Sequence, residues 1–127
     1  MSESGERGRL AEGLALEFLV ERGLVLLDKN WRSGHRELDL VMKSFDCKTG
    51  KERVHIVEVR SLSEPNLQMP FETIDNIKRR NLIRAAAGYI YRKRVLCETQ
   101  FDVISILFCK DKSVKIEYFP DAFSPQW

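Results

Sequence analysis

The sequence has few of the residues that staple small proteins together. Its 127 residues include only three cysteines and two histidines, and no two cysteines are close neighbours. A disulfide framework and a zinc cluster are therefore both disfavoured, and a reducing compartment is expected. The shortage of histidine also argues against a histidine-rich metal site and against a Ser-His-Asp catalytic triad.

Long apolar runs and a strong charge of either sign are also missing. No stretch approaches the ~18 consecutive apolar residues of a membrane-spanning helix, and the first residues lack the basic and apolar regions of a secretory signal. We therefore expect a cytoplasmic protein that does not associate with membranes. The formal net charge is +2, from 21 basic and 19 acidic residues, and this small excess neither requires nor excludes a nucleic-acid partner.

Residues that build a folded core are abundant. Hydrophobic residues make up 43% of the chain and charged residues 31%, a composition that excludes a disordered tail. The sequence contains no internal repeat and no linker rich in proline or glycine. Because the length matches one typical domain, we expect a single domain that spans residues 1–127.

Apolar periodicity predicts two helices and five strands. Residues 4–22 and 71–93 place apolar side chains at the three-and-four spacing of a helix that buries one face. Short apolar or alternating segments predict strands at residues 24–27, 37–43, 53–60, 101–109 and 113–119, with a turn at residues 30–34. The resulting order, α-β-β-β-α-β-β, predicts an α/β fold in which helices flank one mixed sheet.

The second and third strands are predicted to form a hairpin, and both carry charged side chains within apolar sequence. In the second strand, strict alternation places Leu38, Leu40 and Met42 on one face and Glu37, Asp39 and Val41 on the other. In the third strand, Glu58 and Arg60 share a face with Val54 and Ile56. His55 lies on the opposite face, where we expect a satisfied core histidine rather than a metal ligand.

The position of Glu58 in an apolar strand requires a partner for its carboxylate. A buried, unpaired carboxylate costs on the order of several kcal/mol. Neighbouring strands lie ~4.8 Å apart, so carboxylates that face each other across a strand pair can share one ion. If the register matches, Asp39 and Glu58 meet at one point with Arg60 beside them.

The residues alone leave two interpretations of this cluster open. In the first, the carboxylates hold a divalent cation, and an all-oxygen ligand set suits Mg²⁺ or Mn²⁺. Such an ion can activate a bound water and stabilise charge on a phosphate. In the second interpretation, Arg60 pairs with Asp39 or Glu37 in a buried structural salt bridge.

Two motifs in these strands resemble a known signature. The segments ELDLV (37–41) and VEVR (57–60) resemble the bipartite signature of the PD-(D/E)xK nuclease superfamily. Nearly the whole chain resembles the YraN-type uncharacterised family, which is related to archaeal Holliday-junction resolvases. Further matches to that family are Gly8 and Glu12 in the first helix, the Asn-x-Arg segment at 30–32, FDVI at 101–104 and DAF at 121–123.

The resemblance implies a restriction-endonuclease-like fold and a Mg²⁺-dependent endodeoxyribonuclease that hydrolyses DNA phosphodiesters. It implies that Asp39 and Glu58 bind Mg²⁺ or Mn²⁺ and that Glu12 adds an acidic group near the metal. Glu37 would support these ligands without being one of them, and Arg60 falls on the position of the signature lysine. The analogy with resolvases also implies branched or damaged DNA as the substrate and a homodimer as the assembly.

The arginine at position 60 is a departure from the superfamily signature. Arg60 keeps the positive charge of lysine, but it cannot lose a proton and so cannot be a general base. His35 and Arg36 are a second departure, because the family commonly has glycine before its Glu-x-Asp. Two alternatives follow: a nuclease-fold module that binds DNA without cutting it, and an interaction domain without enzymatic activity. The basic residues expected to contact DNA phosphates are Lys78, Arg79 and Arg32.

Overall fold

Within the part of the chain that the structure describes, two helices and five strands follow one another in the predicted order. The structure, a computed structural model, describes residues 3–64 and 74–125. The elements are α1 (Glu3–Glu21), β1 (Val25–Ser33), β2 (Arg36–Phe45), β3 (Glu52–Ser63), α2 (Asn76–Lys93), β4 (Glu98–Phe108) and β5 (Val114–Phe123). The predicted α/β class and the order α-β-β-β-α-β-β are therefore confirmed.

The five strands form one mixed sheet in the order β1-β2-β3-β4-β5. Three neighbouring pairs are antiparallel, and β3 pairs with β4 in parallel. A parallel pair cannot be closed by a tight turn, so the chain crosses between β3 and β4 through α2. No helix in the described part of the chain is long and apolar enough to cross a membrane.

The helices bury two separate apolar clusters against the sheet. The cluster under α1 comprises Ala11, Ala15, Leu19, Leu40, Met42, Val57, Ile104 and Ile106. The cluster under α2 includes Leu82, Ala85, Ala86, Tyr89, Val41, Val54, Ile56, Phe101 and Val103. Consecutive sheet residues such as Val41 and Met42 belong to different clusters, as expected when helices cover both faces of a sheet.

The turn predicted over residues 30–34 is wrong at most of its positions. Strand β1 continues through Ser33, and Trp31 pairs with Leu38 on β2. The ring of Trp31 also packs edge-on against Tyr89 of α2, with 5.3 Å between ring centroids. Pairing with β2 and packing under α2 outweigh the local turn preference of this polar segment, and the tight turn is confined to Gly34 and its neighbour His35.

The second helix begins later than predicted and ends where predicted. The first three residues of the predicted helix, 71–73, lie outside the described residues, as do Pro65, Pro70 and Trp127. Asp75 caps the helix, because its carboxylate accepts a 2.8 Å hydrogen bond from the backbone N–H of Lys78. This cap fixes the first turn of α2 next to the sheet.

One predicted strand face is wrong, and the error lies at Asp39. Leu38 packs in the α2 cluster together with Val41, whereas strict alternation places it with Leu40 under α1. The alternation is interrupted because the ladder between β2 and β3 pairs Leu40 with Val57 and continues no further toward Asp39. On β3 the predicted faces of Val54, Ile56 and Val57 are confirmed.

Candidate metal centre

The two strands that carry the acidic motifs diverge where the motifs begin. Beyond the Leu40–Val57 pair, Asp39 Oδ2 accepts a 2.9 Å hydrogen bond from the backbone N–H of Val59. The Asp39 side chain thus takes the place of a backbone hydrogen bond between β2 and β3, and its carboxyl group lies between the two strands. The structure thereby brings the carboxyl group of Asp39 close enough to Glu58 for the charge of Glu58 to act on it.

This proximity changes the acidity of Asp39. Burial raises its pKa, the negative charge of Glu58 raises it further, and the hydrogen bond from Val59 only partly offsets both effects, so the pKa is about 8. Two carboxyl groups close together in a buried place cannot both ionise at low cost. A divalent cation reverses this cost because it favours the ionised form of each ligand.

Two further carboxylates lie beside Asp39. One oxygen from each of Glu12, Glu37 and Asp39 lies within 4.8 Å of the others. Burial, followed by the charge of Glu37, raises the pKa of Glu12. Three carboxylates from α1 and β2 at this spacing match the all-oxygen ligand set of a hard dication. Glu37, expected only to support the ligands, lies in the same cluster as Glu12 and Asp39.

Asn30, the first residue of the Asn-x-Arg motif, also belongs to the cluster, although it was not among the predicted site residues. With its amide nitrogen facing the cluster, Asn30 donates hydrogen bonds of 3.0 Å to both Glu12 and Glu37. Asn30 reaches them from β1 because its backbone has a positive φ of 51°, which asparagine tolerates better than most residues. Its neighbours Lys29 and Trp31 pair with Leu40 and Leu38, so Asn30 lies opposite Asp39.

The carboxylate of Glu58 has cationic partners as well. Glu58 is only 5% exposed, and its Oε1 lies 3.0 Å from Lys78 Nζ and 3.8 Å from Arg60 Nη1. Lys78 stands in the first turn of α2, where the Asp75 cap holds it over the diverging strands. Arg60 thus lies within ion-pair distance of Glu58.

An open cleft of about 450 Å³ lies over these groups. Its lining includes the carboxylates of Glu37, Asp39 and Glu58 and the basic side chains of Arg36 and Lys78. A cleft lined by both carboxylates and cations can hold a metal ion against one oxygen of a phosphate while the cations face another.

Comparison with known proteins places the chain in a family. A family model described as "Uncharacterised protein family UPF0102" matches residues 11–106. The chain belongs to the UPF0102 family. A UPF0102 protein of Porphyromonas gingivalis is 37% identical over 124 residues, which cover 97% of this chain and 87% of the relative. A UPF0102 protein of Bacteroides thetaiotaomicron is 30% identical over 125 residues, or 98% of each chain.

The UPF0102 match includes every element that forms the cluster. Residues 11–106 extend from α1 into β4, and so they contain Glu12, Asp39 and Glu58 together with Lys78. The family is the YraN-type family identified from the sequence motifs. Its description assigns no activity, and the roles of these residues stay predictions.

Two of the basic residues predicted to contact nucleic acid lie at different distances from the carboxylate cluster. Arg32 lies beside it, with Nη2 at 3.5 Å from Glu37 Oε2 and a largely exposed side chain. Arg79 is directed elsewhere: its guanidinium lies 5.4 Å from the centre of the Phe123 ring. Its Nε is buried and has no hydrogen-bond partner among the described residues. The structure therefore brings Arg32, and not Arg79, to the cluster.

Proposed function

We propose that this UPF0102 protein is a metal-dependent endodeoxyribonuclease that hydrolyses phosphodiester bonds in DNA. The observation that carries the proposal is the position of Asp39, which the backbone N–H of Val59 holds next to Glu58 where the pairing of β2 with β3 ends. Those two residues occupy the acidic positions of the PD-(D/E)xK signature that the sequence resembles. The additional carboxylates and the open cleft above them support the same conclusion.

The donor set fits Mg²⁺ or Mn²⁺. Asp39 and Glu58, together with Glu12 and Glu37, offer only carboxylate oxygens, the ligand type that these ions prefer. Such an ion, when bound, supplies an activated water and neutralises charge on the phosphate. The hydrogen bond from Val59 holds the Asp39 carboxyl in place. The hydrogen bonds from Asn30 hold the carboxylates of Glu12 and Glu37 near it.

The cations of the cleft would act on the phosphate. Lys78 Nζ lies 3.0 Å from Glu58, close enough to reach a phosphate oxygen held at the same carboxylates. Arg60 retains positive charge at the position of the signature lysine and would stabilise charge without moving a proton. Arg32, at the rim, would contact a neighbouring phosphate, which adds affinity without sequence preference.

The substrate and the assembly follow from the resolvase analogy. A homodimer would present two such clefts to two strands of one DNA molecule, which suits branched or damaged DNA. This part of the proposal is tested by comparing branched, flapped, single-stranded and duplex DNA in one cleavage assay.

Arg60 favours a second candidate function. Because arginine cannot act as a general base, a module that binds DNA without cutting it is the alternative to the nuclease. The two candidates differ in one measurement: the nuclease cuts at least one of the four DNA substrates in Mn²⁺, and the binding module retains them uncut.

The cleavage assay requires matched variants. Asp39→Asn and Glu58→Gln each remove one charge with little change in shape, and we expect both to abolish cutting. Glu117→Gln makes the same chemical change at an exposed residue of β5 and is expected to cut like the wild type. Equal cutting by Asp39→Asn and Glu117→Gln would exclude the proposed site. That result is expected of a contaminating nuclease, because its activity depends on neither substitution.

A further inference from the structure

A second cluster of chemically active side chains lies at the other end of the same strands. Ser44 Oγ lies 2.7 Å from His55 Nε2, and His55 Nδ1 lies 2.8 Å from Asp102 Oδ2. These residues belong to β2, β3 and β4, three neighbouring strands. Ser44 is five residues after Asp39 on β2, which at ~3.3 Å per residue separates the two clusters by roughly 16 Å.

The carboxylate of Asp102 is held rigidly and in its ionised form. It accepts hydrogen bonds from His55, from the hydroxyl of Tyr118, from the Gln100 amide at 2.7 Å and from the backbone N–H of Asp121 at 2.9 Å. Burial acts to raise the pKa of Asp102, but these four donors outweigh burial, and the pKa is lowered.

The ionised state of Asp102 determines the positions of the protons on its neighbours. An ionised carboxylate can only accept hydrogen bonds, so the proton of the His55 ring lies on Nδ1, facing Asp102. In a neutral imidazole the other nitrogen, Nε2, is then a free base. The hydroxyl of Ser44 must donate to Nε2, which makes it a hydroxyl in contact with an oriented general base.

The hydroxyl of Ser44 faces an open cleft. A cleft of about 580 Å³ is lined by Ser44 and His55 on one side and by Leu96 and Cys97, from the segment before β4, on another. This volume lies in the ordinary range of small-molecule sites. Leu96, which is 98% exposed, adds an apolar side chain at the edge of the lining.

Most of the charged side chains around this cleft form ion pairs. Arg53 Nη2 lies 2.8 Å from Glu98 Oε2, and Lys43 Nζ lies 3.2 Å from Glu52 Oε2. Neither pair leaves an excess charge, and the two other charged residues of the lining, Asp46 and Lys51, carry opposite charges. The cleft therefore suits an uncharged molecule with an apolar part.

We propose that Ser44 is a nucleophile, activated by His55 and oriented through it by Asp102, at a second site that accepts small uncharged esters. The arrangement satisfies the general geometric signature of an activated nucleophile: nucleophile and base in hydrogen-bond contact, with the base oriented by a third group. It does not depend on the carboxylate cluster at Asp39. The low number of histidines argues against such a triad, yet one of the two histidines occupies its central position.

The covalent step at this site is acyl transfer. Ser44 Oγ attacks the carbonyl carbon of the ester while its proton passes to His55 Nε2. The bond from the carbonyl carbon to the alcohol oxygen breaks, and the leaving oxygen takes the proton from Nε2. Water then attacks the acyl-serine by the same route, which releases the acid and restores the Ser44 hydroxyl.

Labelling with an alkyl fluorophosphonate tests the proposal directly. Ser44 Oγ would displace fluoride from phosphorus, and the adduct is located by mass spectrometry of the digested protein. Ser113 is an internal control in the same sample, since its hydroxyl donates to Asp111 but has no imidazole beside it. We expect the adduct at Ser44 and not at Ser113.

Two variants separate an activated serine from a merely accessible one. His55→Gln removes the base, and the rate of labelling at Ser44 should fall about 100-fold, the smaller end of a general-base contribution. Ser44→Ala should abolish both the adduct and hydrolysis of p-nitrophenyl acetate above the solvent rate. The proposal is overturned if wild-type Ser44 is not labelled, if Ser113 is labelled equally, or if folded His55→Gln reacts as fast as the wild type. The wild-type comparison of the two serines is decisive even if His55→Gln does not fold.

Discussion

Replacing Asp39 by asparagine should stabilise the protein at neutral pH. The pKa of Asp39 is about 8 in the folded protein and 3.8 as a model value. Between these values the folded state holds one proton more than the unfolded chain, so stability falls as pH rises. One pKa unit is worth 1.36 kcal/mol. At pH 7 the raised pKa of Asp39 therefore lowers the free energy of unfolding by about 4 kcal/mol. Asparagine resembles the protonated acid and can still accept from Val59.

The assay is urea unfolding of wild type and Asp39→Asn at pH 5 and pH 7, in the presence of EDTA. Over these two pH units the wild type should lose about 3 kcal/mol of stability that the variant keeps. Titrating groups remote from Asp39 contribute equally to both proteins, so the double difference isolates Asp39 together with the carboxylates whose charges act on it. Glu117→Gln should retain the wild-type pH dependence.

One result would contradict the raised pKa of Asp39. If the free energy of unfolding changes between pH 5 and pH 7 by the same amount in wild type and in Asp39→Asn, then Asp39 ionises normally in the folded protein. The approach of Asp39 to Glu58 would then not be a site of charge repulsion.

Three further predictions concern Asn30, Lys78 and Gly88. Asn30→Ala should lower the free energy of unfolding by about 1–3 kcal/mol in urea titrations, because two carboxylates lose their shared donor. Lys78→Met should weaken DNA retention in filter-binding assays and lower cutting, while Lys78→Arg should retain more of both because it keeps the positive charge near Glu58. Gly88→Ala should raise the melting temperature by stabilising α2 by about 1 kcal/mol, since the added methyl group makes only ordinary contact with Trp31, at 3.7 Å.

Local patterns were sufficient to predict the order of elements. The helical spacing of Ala11, Ala15 and Leu19 and the alternation along β3 each reflect burial of one face, and burial is encoded residue by residue. The same alternation placed Glu58 on the face where α2 later supplies Lys78. The approach of Asp39 to Glu58 could be predicted because two motifs on adjacent antiparallel strands can be aligned in only a few registers.

Features that depend on long-range contacts could not be predicted. Leu38 changes face because the Asp39 carboxyl takes a backbone partner on β3, and nothing within β2 specifies that partner. Asn30 joins the cluster through its positive φ and its position opposite Asp39. Arg79 turns toward Phe123, a contact between residues far apart in sequence.

Calorimetric titration of the protein with Mn²⁺ at pH 7 tests the central claim most directly. We predict saturable binding to the wild type, with release of about one proton per ion because Asp39 must ionise to become a ligand. The released proton is measured by repeating the titration in buffers of different ionisation enthalpy. Asp39→Asn should bind no Mn²⁺, and Glu117→Gln should bind like the wild type. Absence of binding to the wild type, or equal binding to Asp39→Asn, would contradict the account.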